Sequence, residues 1–221
     1  MKKEISQKEF NLKFNSNFIL ENKPHVGLCI SGGPDSIALL MLMKNLIHRK
    51  SGQITVFHFD HKIRKESSVE ANFLKKMIKT LGINCIILNW DRKDSVKLNM
   101  SNAREARYKK IIDLSKKMKI IHLVTAHHDD DNFETFFMRK KRGSSSLGLS
   151  AIPKKKILDN VQIIRPLLKF NKERLVSTCK FYGLSWFNDS SNLNFKFERP
   201  RIRDELKKKK KKKIKLQRKK F

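Results

Sequence analysis

Cysteine is scarce and dispersed. Cys29, Cys85 and Cys179 are the only three in the 221 residues, and no two stand at a CxxC spacing. That argues against a zinc ribbon and a disulfide framework, and it withholds the paired thiols that sulfur-carrying enzymes use. A reducing, cytoplasmic setting fits. Long apolar runs are also missing, since none reaches the roughly 18 residues of a membrane span. Met1–Lys8 is charged and has no apolar stretch, so no secretory signal is expected. Acid is in short supply, with 21 Asp and Glu against 51 Lys and Arg and a formal net charge of +30. Such an excess points to a polyanionic partner, nucleic acid above all, because basic side chains gain affinity by releasing condensed counterions. The 38 lysines against 13 arginines, beside many Ile and Asn, are also what a biased genome produces. Arg201–Phe221 carries 13 basic and 2 acidic residues, a net of +11, which leaves the body at +19.

Two familiar phosphate-loop signatures are absent as well. No Lys-Ser/Thr pair follows a glycine loop as Walker A requires. No three spaced glycines form a dinucleotide fingerprint. What stands instead is His25-Val26-Gly27-Leu28-Cys29-Ile30, short enough for a buried strand, then Ser31-Gly32-Gly33-Pro34-Asp35-Ser36, then an apolar run of helical length over Ile37–Ile47. Strand, glycine turn and helix together suit an anion. Glycine lets backbone approach it closely, and the helix N-terminus offers N–H groups and a favourable dipole. The hexapeptide resembles the pyrophosphate loop of the PP-loop ATPases, which split ATP between its α- and β-phosphates. An ordinary glycine turn is the plainer alternative.

Around this stretch the chain alternates strand and helix. Met1–Lys23 reads as an amphipathic lead-in with Phe10, Phe14 and Phe18 at helical spacing. His48–Gly52 closes the first long helix with Gly52 near its end. Ile54–His61 reads as a strand with Asp60, His61 and Arg64 at its carboxyl end, where open parallel sheets bind ligands. Ser67–Leu81 is a helix ended by Gly82, and Ile83–Trp90 a strand. Ser101–Lys117 is a helix that puts Arg104, Arg107 and Tyr108 on one face. Two arginines so placed suit a phosphate clamp, or simply a solvated face. Lys119–Thr125 is a strand, followed by His127, His128, Asp129, Asp130 and Asp131, then by a helix over Phe133–Lys141 carrying Glu134 and Arg139. Carboxylates there suit Mg²⁺ with phosphate oxygens, or an N-terminal cap cluster. Arg142–Leu149 is a polar loop and Asp159-Asn160 a turn. Val161–Leu168 reads as a strand that Pro166 places at an edge or an end. Asn171–Tyr182 is a helix capped by Asn171 and stopped by Gly183. A helix starts within Arg199–Leu206, and the seven lysines of Lys207–Lys213 are expected to be disordered by mutual repulsion. The pattern predicts an α/β fold, a doubly wound, mostly parallel sheet with helices on both faces and a short basic helical tail. The expected division is residues 1–190 as the catalytic domain, 1–23 being its lead-in, and 191–221 as an extension.

Taken together, Ser31–Ser36, Phe59–Arg64, Asn102–Tyr108, Thr125–Thr135, Arg142-Gly143, Arg165–Leu168 and Trp186–Asn192 resemble the tRNA(Ile)-lysidine synthases, a PP-loop family. The likeness runs from about Val26 to Leu206. It implies attachment of L-lysine to C2 of the wobble cytidine in the CAU anticodon of an isoleucine tRNA. ATP and Mg²⁺ are the implied small partners. It further implies that Ser31, Gly32, Gly33, Pro34, Asp35, Ser36 and His61 bind ATP, and that Asp35, Arg104, Arg107 and His127 serve catalysis. Asp60, Arg64, Asp130, Glu134, Arg139 and Arg142 are candidates for lysine or tRNA, and Asp35 and Asp130 for Mg²⁺. Pro200 departs from the family pattern, which has Asn there, and the lysine run stands where family members continue into a further helical region. A thiolase-like PP-loop enzyme and a non-catalytic RNA-binding relic are the alternatives.

Overall fold

In a computed structural model, residues 3–62, 66–89, 100–145, 149–150, 152–187, 198–206 and 208 are described. A six-stranded sheet runs β3-β2-β1-β4-β6-β5. Its strands are β1 His25–Cys29, β2 Gln53–Asp60, β3 Asn84–Asn89, β4 His122–Thr125, β5 Lys155–Leu158 and β6 Val161–Ile164. All neighbours are parallel except β5 and β6. The helices are α1 Gln7–Asn15, α2 Pro34–His48, α3 Ser67–Thr80, α4 Met100–Lys117, α5 Asp129–Lys141 and α6 Lys172–Phe181, and residues 198–206 are also helical. None of these helices is long and apolar enough to cross a membrane.

Period-two alternation splits the core into two layers. Leu28, Val56, Val124 and Ile164 face one side, packed with Phe10 and Phe14 of α1, Leu39 of α2, Leu74 of α3 and Leu175 of α6. Phe57, Leu123 and Ile163, one position earlier or later, face the other side with Ile111 and Ile112 of α4. The sheet is thus covered on both faces, as a parallel sheet must be. The aromatic lead-in belongs to this body. Arg174 of α6 grips Glu9 of α1 through Nη1 at 2.9 Å and Nη2 at 2.6 Å, and the Ile5 amide donates to Thr178 at 2.9 Å.

Four local expectations change. The strand expected over Val161–Leu168 stops at Ile164, and it is internal: β5, absent from the sequence reading, pairs antiparallel along it and takes the edge. The Asp159-Asn160 turn joins them, both residues lying in the left-handed region at φ 48° and 65°, which suits the twist of a two-residue hairpin. At the end of α2 the left-handed residue is Ser51, φ 50°. Gly52 is required for space instead, since a Cβ there would sit 2.5 Å from the Pro24 carbonyl oxygen. Finally, α5 begins at Asp129, so the three aspartates form its first turn. Arg64 and most of the 207–213 lysine run lie outside the described residues.

Candidate active site

The strand order places the site. From β1 the chain steps outward through β2 and β3, then returns to the other side of β1 as β4. The loops after β1 and β4 therefore diverge from adjacent strands, leaving the crevice where open sheets bind ligands. Ser31–Asp35 leaves β1 there, and His127-His128 leaves β4.

The β1 loop is tied by serines. Gly32, at φ +89°, takes a conformation natural to glycine. Its N–H donates to Ser36 Oγ at 3.2 Å, and the Ser36 hydroxyl donates to the Gly33 carbonyl at 2.8 Å. Gly33 caps α2 without a side chain, and Pro34 fills the first turn, where its missing N–H costs nothing. Behind the loop, Phe187 N–H donates to the Gly32 carbonyl at 2.9 Å. Cys179 Sγ donates to the Pro34 carbonyl at 3.0 Å.

His128 is the hub opposite. It is 3% exposed. Its Nε2 stands 3.5 Å from Asp35 Oδ2 and 3.6 Å from Asp131 Oδ2, and its Nδ1 3.5 Å from Asp130 Oδ2. Burial alone would depress its pKa, but Asp130, Asp35 and Asp131 push it up to about 10. It is an imidazolium at neutral pH. In return His128 holds Asp130 down to about 2, helped by the Lys172 amide, which donates to Asp130 Oδ2 at 2.8 Å. Asp35, which burial would raise, is held below the ordinary value by His128, Lys172 and Arg203. Lys172 Nζ lies 3.7 Å from Asp35 Oδ2. Asp35 Oδ1 is buried with no hydrogen-bond partner. Sequence spacing did not single out His128, because its partners come from two helices far apart in the chain.

His127 behaves oppositely. Burial first, then the charges of Arg165, Arg104 and Arg199, outweigh Asp131 and lower it to about 4. The ring is neutral. Its Nδ1 lies 2.8 Å from the Thr125 hydroxyl, and when that hydroxyl donates, Nε2–H is left as a donor. Arg104 and Arg107 of α4 both lie 5.4 Å from the Tyr108 ring centroid, so the shared face expected of them is present.

The remaining candidates separate. Asp60 is buried and shapes its own turn, accepting from the Lys62 amide at 2.8 Å and the Ser68 hydroxyl at 3.0 Å. His61 stacks edge-on against Phe59 at 4.8 Å. Glu134, 3% exposed, receives both arms of Arg203, at 2.7 and 3.1 Å. Arg139 donates to the Ser150 carbonyl, and Arg142 pairs with Glu198. Arg203–Glu134, Arg142–Glu198 and Lys141–Glu205 hold the 198–206 helix on α5 and bring the Arg203 charge within reach of Asp35 and Asp131. Asp35 and Asp130 flank the His128 ring, at Nε2 and Nδ1, and both also contact Lys172. Among the described residues no group of three His, Cys, Asp or Glu is arranged to hold a metal on its own.

Comparison with known proteins supplies the lineage. The PP-loop domain family profile matches residues 2–210. A tRNA(Ile)-lysidine synthase of Orientia tsutsugamushi (strain Boryong) is 36% identical over 186 residues, 84% of this chain and 42% of that protein. One of Wolbachia pipientis wMel is 37% identical over 195 residues, 87% of this chain and 44% of its own. The chain thus spans less than half the length of the curated relatives it matches. A solved U34-tRNA thiolase from Methanococcus maripaludis, with its 4Fe–4S cluster, shares the fold at a TM-score of 0.71 and 20% identity, over 89% of this chain and 71% of that one. The bounds of the family match take in the glycine loop, the histidine pair and the 198–206 helix, and the chain belongs to the PP-loop domain family.

Proposed function

We propose that this domain uses ATP to adenylate the C2 oxygen of the wobble cytidine in the CAU anticodon of an isoleucine tRNA, releasing pyrophosphate, and that the ε-amine of L-lysine then displaces AMP to leave lysidine. The observation that carries the reading is the meeting of two differently charged loops in one crevice: the glycine loop with Asp35, and the histidine pair that opens α5. The names of the related proteins support the same substrate, and the charge of +30 suits an RNA partner.

The residues divide the work. Backbone of Ser31–Ser36 and the start of α2 hold the leaving pyrophosphate, with His61 at the edge of the nucleotide site. Asp35 Oδ1, buried and without a hydrogen-bond partner, fits Mg²⁺, with Asp130 as the further candidate. A bound Mg²⁺ would supply Lewis-acid neutralisation of the phosphate oxygens. Mg²⁺ binds through one or two carboxylates plus substrate oxygens and water, so it needs no three-ligand protein cluster, and none is found among the described residues. Arg104, Arg107 and the neutral His127 donate to charge developing at the α-phosphate and on departing AMP. The lysine ammonium pairs with the acidic first turn of α5, where the Asp130 side chain is 49% exposed. Asp60 and Glu134 act through the groups they hold.

A sulfur-transfer reading is less well served. Burial pushes the thiols of Cys29 and Cys85 up to about 11 and that of Cys179 up to about 12, far from the thiolates that such chemistry needs. The test is AMP release by the purified chain with ATP, lysine and the CAU tRNA. AMP formation that needs all three supports the proposal, and Asp35→Asn should lower it at least about 100-fold. AMP formation indifferent to tRNA and lysine would sink it.

A further inference from the structure

Arg165 follows the last residue of β6 and is 4% exposed. Ile164 pairs with Val124, so Arg165 falls level with Thr125, whose hydroxyl meets His127. Its amide donates to the Lys154 carbonyl at 2.9 Å, which fixes the backbone there. Among the described residues its guanidinium makes one hydrogen bond, from Nη1 to the Pro153 carbonyl at 2.7 Å, while Nε is buried without a partner. Among the described residues no carboxylate pairs with Arg165. Its neighbours around His127 are Arg104 and Arg199, with Asp131 as the opposing acid.

This is an unusual way to bury a charge. A buried guanidinium ordinarily has a carboxylate partner, because its desolvation is otherwise uncompensated. A buried donor left without an acceptor also calls for an explanation. Both deficits end if an anion arrives from outside. The edge at which Arg165 sits is the crevice edge of the sheet, and the helix facing it carries Arg104 and Arg107.

We propose that Arg165 is an anion-binding residue, the buried counter-charge for a phosphate that enters beside His127, separate from the pyrophosphate held by the glycine loop. The reading rests on the ATP and tRNA assignment above. The phosphate is either that of the nucleotide or one of the RNA backbone; both present the same oxygens to an arginine fork.

Arg165→Met and Arg165→Lys in the full chain test it, with AMP and an RNA hairpin carrying the CAU loop as probes. Replacing an unpaired buried charge by an apolar group of similar size is neutral or stabilising. Ligand-free Arg165→Met should therefore melt at or above the wild-type temperature, while a phosphate-bearing probe binds at least about tenfold more weakly. Arg165→Lys, a point charge without the fork, should fall between. Loss confined to AMP assigns the nucleotide phosphate, and loss confined to the hairpin assigns the RNA backbone. If Arg165→Met melts lower and binds both probes like wild type, Arg165 is a clamp on Pro153 and the proposal fails. If Arg165→Met does not fold, wild-type binding of both probes by Arg165→Lys overturns it. A wild-type chain that binds neither probe would remove the ATP and tRNA assignment together with this one, whereas unchanged variants beside a binding wild type remove Arg165 alone.

Discussion

Asp35 Oδ2 and His128 Nε2 stand 3.5 Å apart, joining the start of α2 to the cap of α5. The pair makes the site lose stability as pH turns alkaline. The folded pKa of His128, about 10, lies above its ordinary 6.5. A raised pKa contributes stability that is complete below the unfolded value and disappears as pH climbs through the folded one. The melting temperature of wild type should therefore exceed that of His128→Gln most at about pH 6, and the gap should shrink as pH rises through about 10. A gap that stays constant over that range would show that His128 carries no proton in the fold.

Arg203 and Glu134 make a second testable pair. Both Glu134 oxygens are bound and its side chain is 3% exposed, against 26% for Arg203. Removing one partner from a buried pair leaves an uncompensated charge and costs about 3 to 5 kcal/mol; the partial exposure of Arg203 points to the lower figure. Glu134→Leu should be destabilised by about 3 kcal/mol in urea unfolding, and Glu134→Leu with Arg203→Leu by less than the sum of the singles. Additive losses would mean the two side chains are energetically independent.

Much of this was legible in the chain. Apolar periodicity and the glycine loop announced the parallel sheet, and Arg104, Arg107 and Tyr108 do share a face. What the sequence concealed has physical reasons. β5 went unassigned because Lys155 and Lys156 give it no apolar signal, although lysine is how exposed edges avoid pairing with other chains. Pro166 read as a sign of an edge or of a strand end, and it is the end that it marks, two residues past Ile164. The aspartates at 129–131 read as ligands or as caps, both open to different residues, and all three lie in the first turn of α5. His128 and Arg165 stood in motifs, and Arg203 in a basic cluster, with nothing in the sequence to give any of them its role. Their significance lies in partners, or missing partners, supplied by other elements.

The lysine run at 207–213 supports a prediction from charge alone. Contacts from a lysine run go to phosphates and position RNA without reading bases. Each neutralised phosphate adds about 0.7 to 0.9 to the log–log salt slope. Deleting residues 207–221 should weaken binding to cognate and non-cognate tRNA alike and flatten the salt dependence by several units if all seven lysines engage. Binding across a salt series measures this. Loss of the cognate preference alone would make the tail a reader of sequence instead.

Arg107 is where turnover and binding should part. It is half-buried on α4, 5.4 Å from the Tyr108 centroid, and its charge reaches Cys29 at the end of β1. A guanidinium held by an aromatic face beside the strand that feeds the glycine loop is preorganised for charge that develops during reaction. Such a contact lowers turnover, whereas uniform binding shifts only apparent affinity. Arg107→Ala should therefore slow single-turnover AMP formation by about 10² to 10³, with tRNA affinity changed much less. Arg107→Lys should recover part of the rate, since the charge returns without the planar fork. Arg104, more exposed over the same ring, should show a smaller effect in the same direction. The decisive comparison is the single-turnover rate at saturating tRNA against the dissociation constant from direct binding. If Arg107→Ala reacts at the wild-type rate once saturated, the residue docks RNA and takes no part in the transition state.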